Sequence, residues 1–264
     1  MAIVSLDGYL AAPKRRISYT KTGSRTTVSG HPFSLFDLAG NPPAGTLAAG
    51  NTANGIVPIQ GQAGYPPIVA FGGLQGYLSR LDFGSPVANR IYLNDILFKA
   101  GAYAFNSDVT LASQPSYASR VPSGTNFSNL EIWVEQVTAA TGNQAVNVFY
   151  TNQNGVTGRQ TGVTGIGVAP IAGRCWQLPL QADDSGVQRI ERVVGSTATV
   201  GTFNVMVLRR LCAATVVQGG HGETFDLLRT GMPWVHESTA LYAWLVTVGT
   251  ISSTPMLDIE IALG

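Results

Sequence analysis

The sequence predicts an all-β protein: an antiparallel, jelly-roll-like β-sandwich with an extended Gly/Pro-rich N-terminal arm. Three observations lead to this prediction. Short segments in which polar and apolar residues alternate recur from residue 76 onwards, a pattern typical of half-buried strands. Turn sequences such as Asn152–Gly155 separate these segments at short intervals. The composition includes 31 glycines and 14 prolines, which favours turns and extended chain over long helices.

The N-terminal part is interpreted as an extended arm or assembly segment, residues 1–75, followed by a β-sandwich domain at 76–264. Its main feature is residues 38–79, here called the uncharged segment, which contain no charged side chain. A disordered linker is normally rich in charge and poor in apolar residues. The segment therefore predicts extended chain that lies against its own fold or a neighbouring subunit. Its expected interface residues are apolar: Ile56, Ile59, Tyr65, Ile68 and Phe71.

Residues 8–36 carry several cations and no acidic residue. A basic arm of this kind contacts nucleic acid or an acidic neighbour in some proteins. Five charges alone do not make a nucleic-acid site, so we expect a solvated surface strand or a protein contact. The cations are Lys14, Arg15, Arg16, Lys21 and Arg25.

Strand-like alternation after residue 76 is clearest in three segments. At 130–135 apolar residues occupy every second position, and 145–150 follows the same pattern. The Asn154–Gly155 pair then supplies the positive φ that a hairpin turn needs. At 257–263, leucine and isoleucine alternate with polar or small residues. Roughly ten such strands are expected. The best candidate for a short helix is 86–99, and no internal repeat is visible.

The composition indicates an assembly protein. Only 12% of residues are charged, against roughly 25% in ordinary soluble domains. The net charge of +1 creates no field that would attract nucleic acid or a membrane surface. Low charge also protects a protein poorly against self-association. Because no signal peptide and no apolar run of ~20 residues is visible, we expect a soluble protein made in a cytosol, with no specific nucleic-acid or membrane partner.

Residues suited to catalysis or metal binding are few. The histidines, His31, His221 and His236, have no ligand partner at i+2 or i+4. His221 lies between glycines that would leave room for a ligand, although an exposed loop histidine is the commoner case. Cys175 and Cys212 lack metal-site spacing and are expected to be separate buried thiols, with a disulfide between them as the alternative. We predict no enzyme activity, no metal and no cofactor.

Two carboxylate pairs are candidates for glycoside chemistry. Glu131 and Glu135 lie four residues apart on one strand face, about 13 Å at ~3.3 Å per residue. That distance exceeds the ~6.5–9.5 Å of inverting enzymes. Asp183 and Asp184 lie in a turn, where aspartate is favoured for local hydrogen bonds. Both pairs are interpreted as structural. Trp133 shares the face of the two glutamates and is predicted to lie at a subunit contact, where tryptophan is enriched.

The stretches NLEIWVEQVTAATGNQAVNVFYTNQNGVTGRQTG and CWQLPLQADDSGVQRIERVVGSTATVGTFNVMVLRRL resemble virion structural proteins of tailed bacteriophages. The N-terminal text SYTKTGSRTTVSGHPFSLFDLAGNPPAGTLAAGNTANGIVP is similar in character. The family resembled consists of head-associated β-sandwich proteins that coat or cement a capsid. No functional residues carry over, because such proteins act through surfaces.

The resemblance implies a structural component of a bacteriophage particle, a capsid cement or decoration protein that stabilises the head. Its partners would be the major capsid protein and copies of itself, with a trimer as one arrangement. It would be located in the virion after assembly in the host cytoplasm. The alternative is a carbohydrate- or receptor-binding module of a tail or fibre, and a β-sandwich hydrolase is the third reading. A binding module predicts an exposed cleft of aromatic and acidic residues, whereas a cement protein predicts flat apolar contacts.

Overall fold

The computed structural model describes residues 3, 5–25, 27–168, 171–195, 200–247 and 255–264. Two short helices occur in these ranges, α1 (Leu6–Ala11) and α2 (Leu227–Thr230), with 3-10 turns at Ala118–Arg120 and Pro122–Gly124. The strands are β1 (Lys14–Lys21), β2 (Pro32–Ser34), β3 (Gly40–Asn41), β4 (Asn51–Ile56), β5 (Gly76–Ser85), β6 (Asn89–Ala104), β7 (Asp108–Thr110), β8 (Leu130–Thr138), β9 (Asn143–Asn152), β10 (Arg159–Gln160), β11 (Thr164–Val168), β12 (Cys175–Leu178), β13 (Val187–Gly195), β14 (Thr202–Val216), β15 (His221–Phe225), β16 (Trp234–Val235), β17 (Leu241–Thr247) and β18 (Met256–Leu263).

The chain divides into two compact units that are both discontinuous in sequence. The first unit comprises Met1–Gly45, Ile59–Asp95 and Arg210–Gly264, and the second comprises Thr46–Pro58 and Ile96–Arg209. The long strands β6 and β14 each begin in one unit and end in the other. This division differs from the sequence-based boundary at residue 75, because strands from 1–75 pair with strands from the C-terminal part of the chain.

The first unit is a sandwich of antiparallel strands. One layer has the order β15-β5-β18-β1-β3, with β16 also pairing with β5. The opposite layer contains β17, which pairs with β2 and with the first half of β6. Every second residue of the strands points inwards, so both layers bury apolar side chains in one core. Representative core residues are Ile17, Leu81 and Ile259 from the first layer and Leu93 and Leu245 from the second.

The C-terminal strand joins the N-terminus to the rest of the first unit. Strand β18 lies between β1 and β5, and its register places Lys14 opposite Ala262. The alternation predicted at 257–263 is confirmed, since Leu257, Ile259, Ile261 and Leu263 are all buried. The first strand of the predicted arm is therefore part of a sandwich layer, paired with β18 over most of its length and with β3 at Thr20 and Lys21.

The second unit is built in the same way. One layer has the order β10-β9-β13-β7, with β11 also pairing with β9. The other contains β12, β8 and the first half of β14. Apolar side chains from both layers meet in a separate core that includes Val146 and Val148 from β9, Ile132 and Val134 from β8, and Val205 from β14. The prediction of an all-β fold with antiparallel sheets packed as sandwiches is thus confirmed.

Local predictions have mixed outcomes. The hairpin at Asn152–Gly155 is confirmed, because β9 pairs with β10 and Gly155 has φ +79°. The separate buried thiols are confirmed as well, since Cys175 and Cys212 are both buried and form no disulfide with each other. The helix considered at 86–99 is wrong, because this stretch lies largely within strand β6. Both faces of β6 are covered over much of its length, which removes the alternation that marks a half-buried strand.

Candidate functional site in the uncharged segment

The uncharged segment is the part of the chain on which the functional prediction depends. Residues 38–45 and 59–79 belong to the first unit, and 46–58 belong to the second. Strands β3, β4 and the start of β5 are its only regular elements among the described residues. Elsewhere its backbone groups need partners other than a sheet ladder. Each unit supplies such partners from side chains beneath its own part of the segment.

In the first unit, cations from strand β1 bind backbone carbonyl groups of the segment. Lys21 is 1% exposed, and its Nζ donates to the carbonyl oxygens of Leu38 and Pro42 at 3.0 and 2.7 Å. Burial lowers the pKa of Lys21 to about 8, against the opposing effect of the Asp37 carboxylate. The neighbouring Arg15 donates to the Ala70 carbonyl oxygen at 3.2 Å. One strand thus holds the segment at residues 38–42 and again at residue 70.

In the second unit, a buried polar group lies beneath residues 47–49. The Lys99 ammonium is 2.8 Å from Glu135 Oε2. Asn204 donates to the same carboxylate oxygen at 2.9 Å and to the Leu47 carbonyl oxygen at 2.7 Å. Its own side-chain oxygen accepts the backbone N–H of Ala49 at 3.2 Å. The amide of Asn204 therefore links the ion pair to the segment.

A second buried cation holds the end of the same stretch. The Arg120 guanidinium donates to the carbonyl oxygens of Pro58 and of Ile96, the latter at 2.9 Å. Arg120 is 2% exposed. The Tyr103 hydroxyl also donates to the Thr52 carbonyl oxygen at 2.8 Å. Hydrogen bonds from charged donors contribute roughly 1.5–3 kcal/mol each. The segment itself has no charged side chain, and charged side chains from outside it stabilise its backbone.

Glycines let the segment pass directly over aromatic rings. A Cβ atom at Gly45 would lie 2.2 Å from the Phe36 ring, and one at Gly64 would lie 2.1 Å from the same ring. In the second unit, a Cβ atom at Gly55 would lie 2.2 Å from the Phe98 ring. Gly64 and Gly55 also have positive φ angles of +91° and +70°. At these positions glycine is needed because the backbone passes close to an aromatic ring, and not because the chain must be flexible.

The five predicted interface residues of the segment fall into two groups. Tyr65, Ile68 and Phe71 are 4%, 5% and 3% exposed, and the last two belong to the core of the first unit. Tyr65 lies with its ring centroid 4.8 Å from that of Phe36. The side chains of this group lie against the chain's own fold, which is one of the two surfaces expected for the segment. Contact with a second chain stays a prediction.

The second group presents apolar surface to solvent. Ile56 is 37% exposed and Ile59 is 44% exposed. Two further residues of the segment, Val69 and Leu74, are 66% and 40% exposed. The sequence does not distinguish these exposed residues from the buried ones beside them, because both groups are apolar. The backbone next to Ile59 and Val69 is held by the hydrogen bonds of Arg120 to Pro58 and of Arg15 to Ala70.

Trp133, the sixth predicted interface residue, is only 6% exposed. Its indole N–H donates to Glu131 Oε2 at 2.6 Å, as their shared strand face predicts. Glu135, on the same face, is fully buried by its pairing with Lys99. The interpretation of Glu131 and Glu135 as structural carboxylates agrees with these contacts. The role of Trp133 at a subunit contact stays a prediction.

The basic N-terminal stretch is largely occupied by contacts within the first unit. Lys14 donates to the backbone of α1 and its C-terminal cap, Arg16 lies 3.5 Å from Glu260, and Arg25 pairs with Asp37. Lys21 and Arg15 bind the uncharged segment as described. The expectation of a surface strand or protein contact therefore fits only in part, because Lys21 is a buried residue with a structural role.

The remaining candidate residues are separate from one another. No group of three or more histidine, cysteine or acidic side chains suited to a metal ion occurs among the described residues. His221 is exposed at the start of β15, and His236 accepts a backbone hydrogen bond from Ser238. Asp184 accepts hydrogen bonds from Tyr150, Asn152 and Arg159 at 2.7–2.8 Å. That carboxylate joins a turn to the layer of β9 and β10, as its structural interpretation predicts.

The two helices of the described chain are six and four residues long, and neither is long enough to cross a membrane.

No protein-family model matches the chain, and no curated protein matches its sequence. Among solved structures, it aligns with infectious bursal disease virus of the Gt strain at 10% identity, over 96% of this chain and 81% of that chain, with a TM-score of 0.18. It aligns with the VP2 subviral particle of the same virus at 9% identity, with the same coverage and TM-score. TM-scores this low carry no argument about fold or function. The fold assignment rests on the strands and cores of this chain alone.

Proposed function

We propose that the chain is a structural component of a virus particle, a cement or decoration protein that stabilises a capsid through contacts between subunits. The observation that carries this proposal is the uncharged segment, whose backbone accepts hydrogen bonds from Arg120 at Pro58 and from Arg15 at Ala70, next to the exposed side chains of Ile59 and Val69. Apolar side chains held in fixed positions are suited to binding, because little conformational entropy is lost on contact.

The resemblance to virion proteins of tailed bacteriophages supports the same proposal. The partners would be a major capsid protein and further copies of this chain. Only 12% of the residues are charged. Low charge favours association, which suits a protein that functions in contact with neighbouring subunits. Stable interfaces bury ~1,200–2,000 Å² in total, which a decoration protein would gain from several neighbours at once.

The test is a binding experiment with particles that lack the protein. Heads would be purified from a mutant of the virus in which the gene for this chain is deleted. They would then be incubated with the purified protein. Val69→Asp replaces an exposed apolar side chain of the uncharged segment with a charged one. Val163→Asp is the matched control, because Val69 and Val163 are 66% and 67% exposed and only the first lies in the segment.

We expect the native protein and the Val163→Asp variant to decorate the heads equally. The Val69→Asp variant should bind at least about tenfold more weakly, because burial of a valine contributes ~1.5–3 kcal/mol. Occupancy would be measured by cryo-electron microscopy and by co-sedimentation. Equal occupancy for both variants would contradict a role for the segment. Failure of the native protein to bind heads, together with binding to glycans or to host cells, would favour the tail or fibre alternative.

A further inference from the structure

The buried polar group of the second unit combines an amine, a carboxylate and a carboxamide. Lys99 comes from β6, Glu135 from β8 and Asn204 from β14, and the three residues are 2%, 0% and 0% exposed. Glu135 and Asn204 are direct partners in the register of β8 with β14. Three groups that can react with one another therefore meet at a place shielded from bulk solvent.

One carboxylate oxygen contacts both nitrogens of this group. Glu135 Oε2 is 2.8 Å from Lys99 Nζ and 2.9 Å from Asn204 Nδ2. The two nitrogens are thus no further apart than the sum of these distances, 5.7 Å. An amine attacks a carbonyl carbon from about 3–3.5 Å. Rotation within the flexible lysine side chain can bring Nζ from its present position to the Cγ atom of Asn204.

The carboxamide of Asn204 is held in one orientation. Its Oδ1 accepts the backbone N–H of Ala49 at 3.2 Å, and its Nδ2 donates to the Leu47 carbonyl oxygen at 2.7 Å. Gly101 leaves room for this amide, since a Cβ atom there would lie 2.3 Å from Oδ1. The amide nitrogen therefore faces Glu135. The Ala49 N–H is placed to stabilise negative charge on Oδ1 when the carbon is attacked.

We propose that Lys99 and Asn204 become joined by an amide bond between their side chains, with Glu135 as the group that transfers protons. The Glu135 carboxylate first takes a proton from the ammonium, which gives an amine and a carboxylic acid. Burial favours these neutral forms, because charged groups are costly to remove from water. The Nζ lone pair then attacks Cγ, and the electrons of the carbonyl double bond move to Oδ1.

The remaining proton transfers release ammonia. Glu135 donates its proton to Nδ2 and accepts one from Nζ. The Cγ–Nδ2 bond then breaks, the carbonyl double bond re-forms, and ammonia takes the last proton from Glu135 and leaves as ammonium. The carboxylate is regenerated, and the reaction needs no oxidant or cofactor. Groups fixed in a suitable arrangement react with effective concentrations of about 10⁵–10⁸ M, which allows a reaction that free amines and amides in water do not undergo at a useful rate.

The bond would join strands β6 and β14 beneath the uncharged segment. A cross-link between residues far apart in sequence stabilises a fold by restricting the unfolded chain. Oδ1 of Asn204 remains the acceptor for the Ala49 N–H, so the segment keeps this contact after the reaction. The inference concerns the chain by itself. It goes beyond the proposed function, and its failure would leave the proposal of capsid binding unaffected.

The test is the intact mass of the purified native protein, measured by mass spectrometry under denaturing conditions. We expect a mass below that of the sequence by one molecule of ammonia. The chain contains three lysines, Lys14, Lys21 and Lys99, and trypsin does not cleave after a lysine whose amine is acylated. Digestion should therefore yield a branched peptide that joins residues 91–120 to residues 193–209, which contain Lys99 and Asn204.

Substitutions test the role of each group. Lys99→Arg keeps a cation beside Glu135, but a guanidinium is not deprotonated in proteins and cannot attack, so this variant should have its full mass. Glu135→Gln removes the group that transfers protons and should leave most of the chain unlinked. Asn204→Asp should still form the bond, but with loss of water instead of ammonia, because a hydroxyl group then leaves in place of the amide nitrogen.

Lys21→Met is the matched control. Lys21 is as buried as Lys99, at 1% exposed, but its ammonium donates to the backbone carbonyl groups of Leu38 and Pro42. This variant should lose ammonia as the native protein does. Circular dichroism would verify that each variant is folded, and for a variant that does not fold the native mass and the peptide map still decide.

A native protein that keeps its full mass after prolonged incubation would overturn the inference. Loss of ammonia that persists in Lys99→Arg would also overturn it, as would loss that maps to another asparagine, such as Asn54 before Gly55, where a cyclic imide also releases ammonia. A Glu135→Gln variant that is linked as completely as the native protein would overturn the role of Glu135.

Discussion

The ammonium group of Lys99 lies 2.8 Å from the carboxylate of Glu135, and the two side chains are only 2% and 0% exposed. Buried ion pairs contribute little net stability, because desolvation offsets most of the attraction. Loss of one partner is costly, since the other charge is left buried without compensation. Asn204 shares the Glu135 carboxylate and binds Leu47, so the pair also orders the uncharged segment.

Lys99→Met is therefore expected to lower the free energy of unfolding by roughly 3–5 kcal/mol, measured by urea denaturation. Lys99→Met/Glu135→Leu should lose less than the single variant, because no charge is left buried. Arg192→Met, which breaks the exposed pair with Asp108, should have a much smaller effect. Similar losses for Lys99→Met and Arg192→Met would contradict a special cost at the buried pair.

Gly64→Ala should destabilise the protein more than Gly61→Ala. Both positions have positive φ angles, +91° and +75°, so both substitutions carry a backbone penalty of roughly 1–2 kcal/mol. Only at position 64 would the added Cβ overlap a side chain, the Phe36 ring, whereas position 61 is open. The overlap should add about 1–3 kcal/mol. Thermal unfolding of the two variants gives the comparison, and equal midpoints would show that the segment does not lie on the ring in solution.

Stability should rise with pH between about 8 and 10.5 through Lys21. Its pKa is about 8 in the fold against an ordinary value of 10.5. Between these values the unfolded chain binds the additional proton, so raising the pH favours the folded state. The Lys21→Met variant should lack this contribution, and the difference in pH dependence between the two proteins isolates it from other titrating groups. A pH dependence that is unchanged by the substitution would refute the assignment.

Asp184 should confer stability that is lost in acid. Burial disfavours its charged form, but hydrogen bonds from Arg159, Tyr150 and Asn152 outweigh that effect and hold the pKa of Asp184 below its usual range. A lowered pKa means that the contribution is present above the unfolded value of 3.8 and is lost as pH falls through the folded value.

Asp184→Asn should cost about 1.5–3 kcal/mol near neutral pH, and its difference from the native protein should shrink in acid. Denaturant titrations at several pH values would measure both effects. Asp183→Asn is the matched control, because this neighbour lies in the same turn at φ +72° and asparagine tolerates that conformation. A deficit that is independent of pH would mean that the charge of Asp184 is not what stabilises the turn.

Several features were predictable from local sequence. The alternation at 257–263 and the Asn154–Gly155 turn depend on neighbours only a few residues apart, and both are present in the structure. Lys99 gave a weaker signal, as a charged residue inside the apolar stretch DILFKAGAYA. Such a residue usually has a buried partner, but nothing in the sequence identified Glu135. The site residues Lys21, Arg120 and Asn204 carried no comparable signal.

Strand periodicity, turn positions and the presence of a segment without charge can be read from the sequence, because each depends on residues close together in the chain. The pairing of strands, as in the register of Lys14 with Ala262, and with it the formation of two sandwich units, depends on contacts between distant parts of the chain. The tertiary structure also decided which apolar residues of the uncharged segment are buried. Phe71 and Leu74 look alike in sequence, yet they are 3% and 40% exposed, because burial depends on surfaces supplied by distant strands.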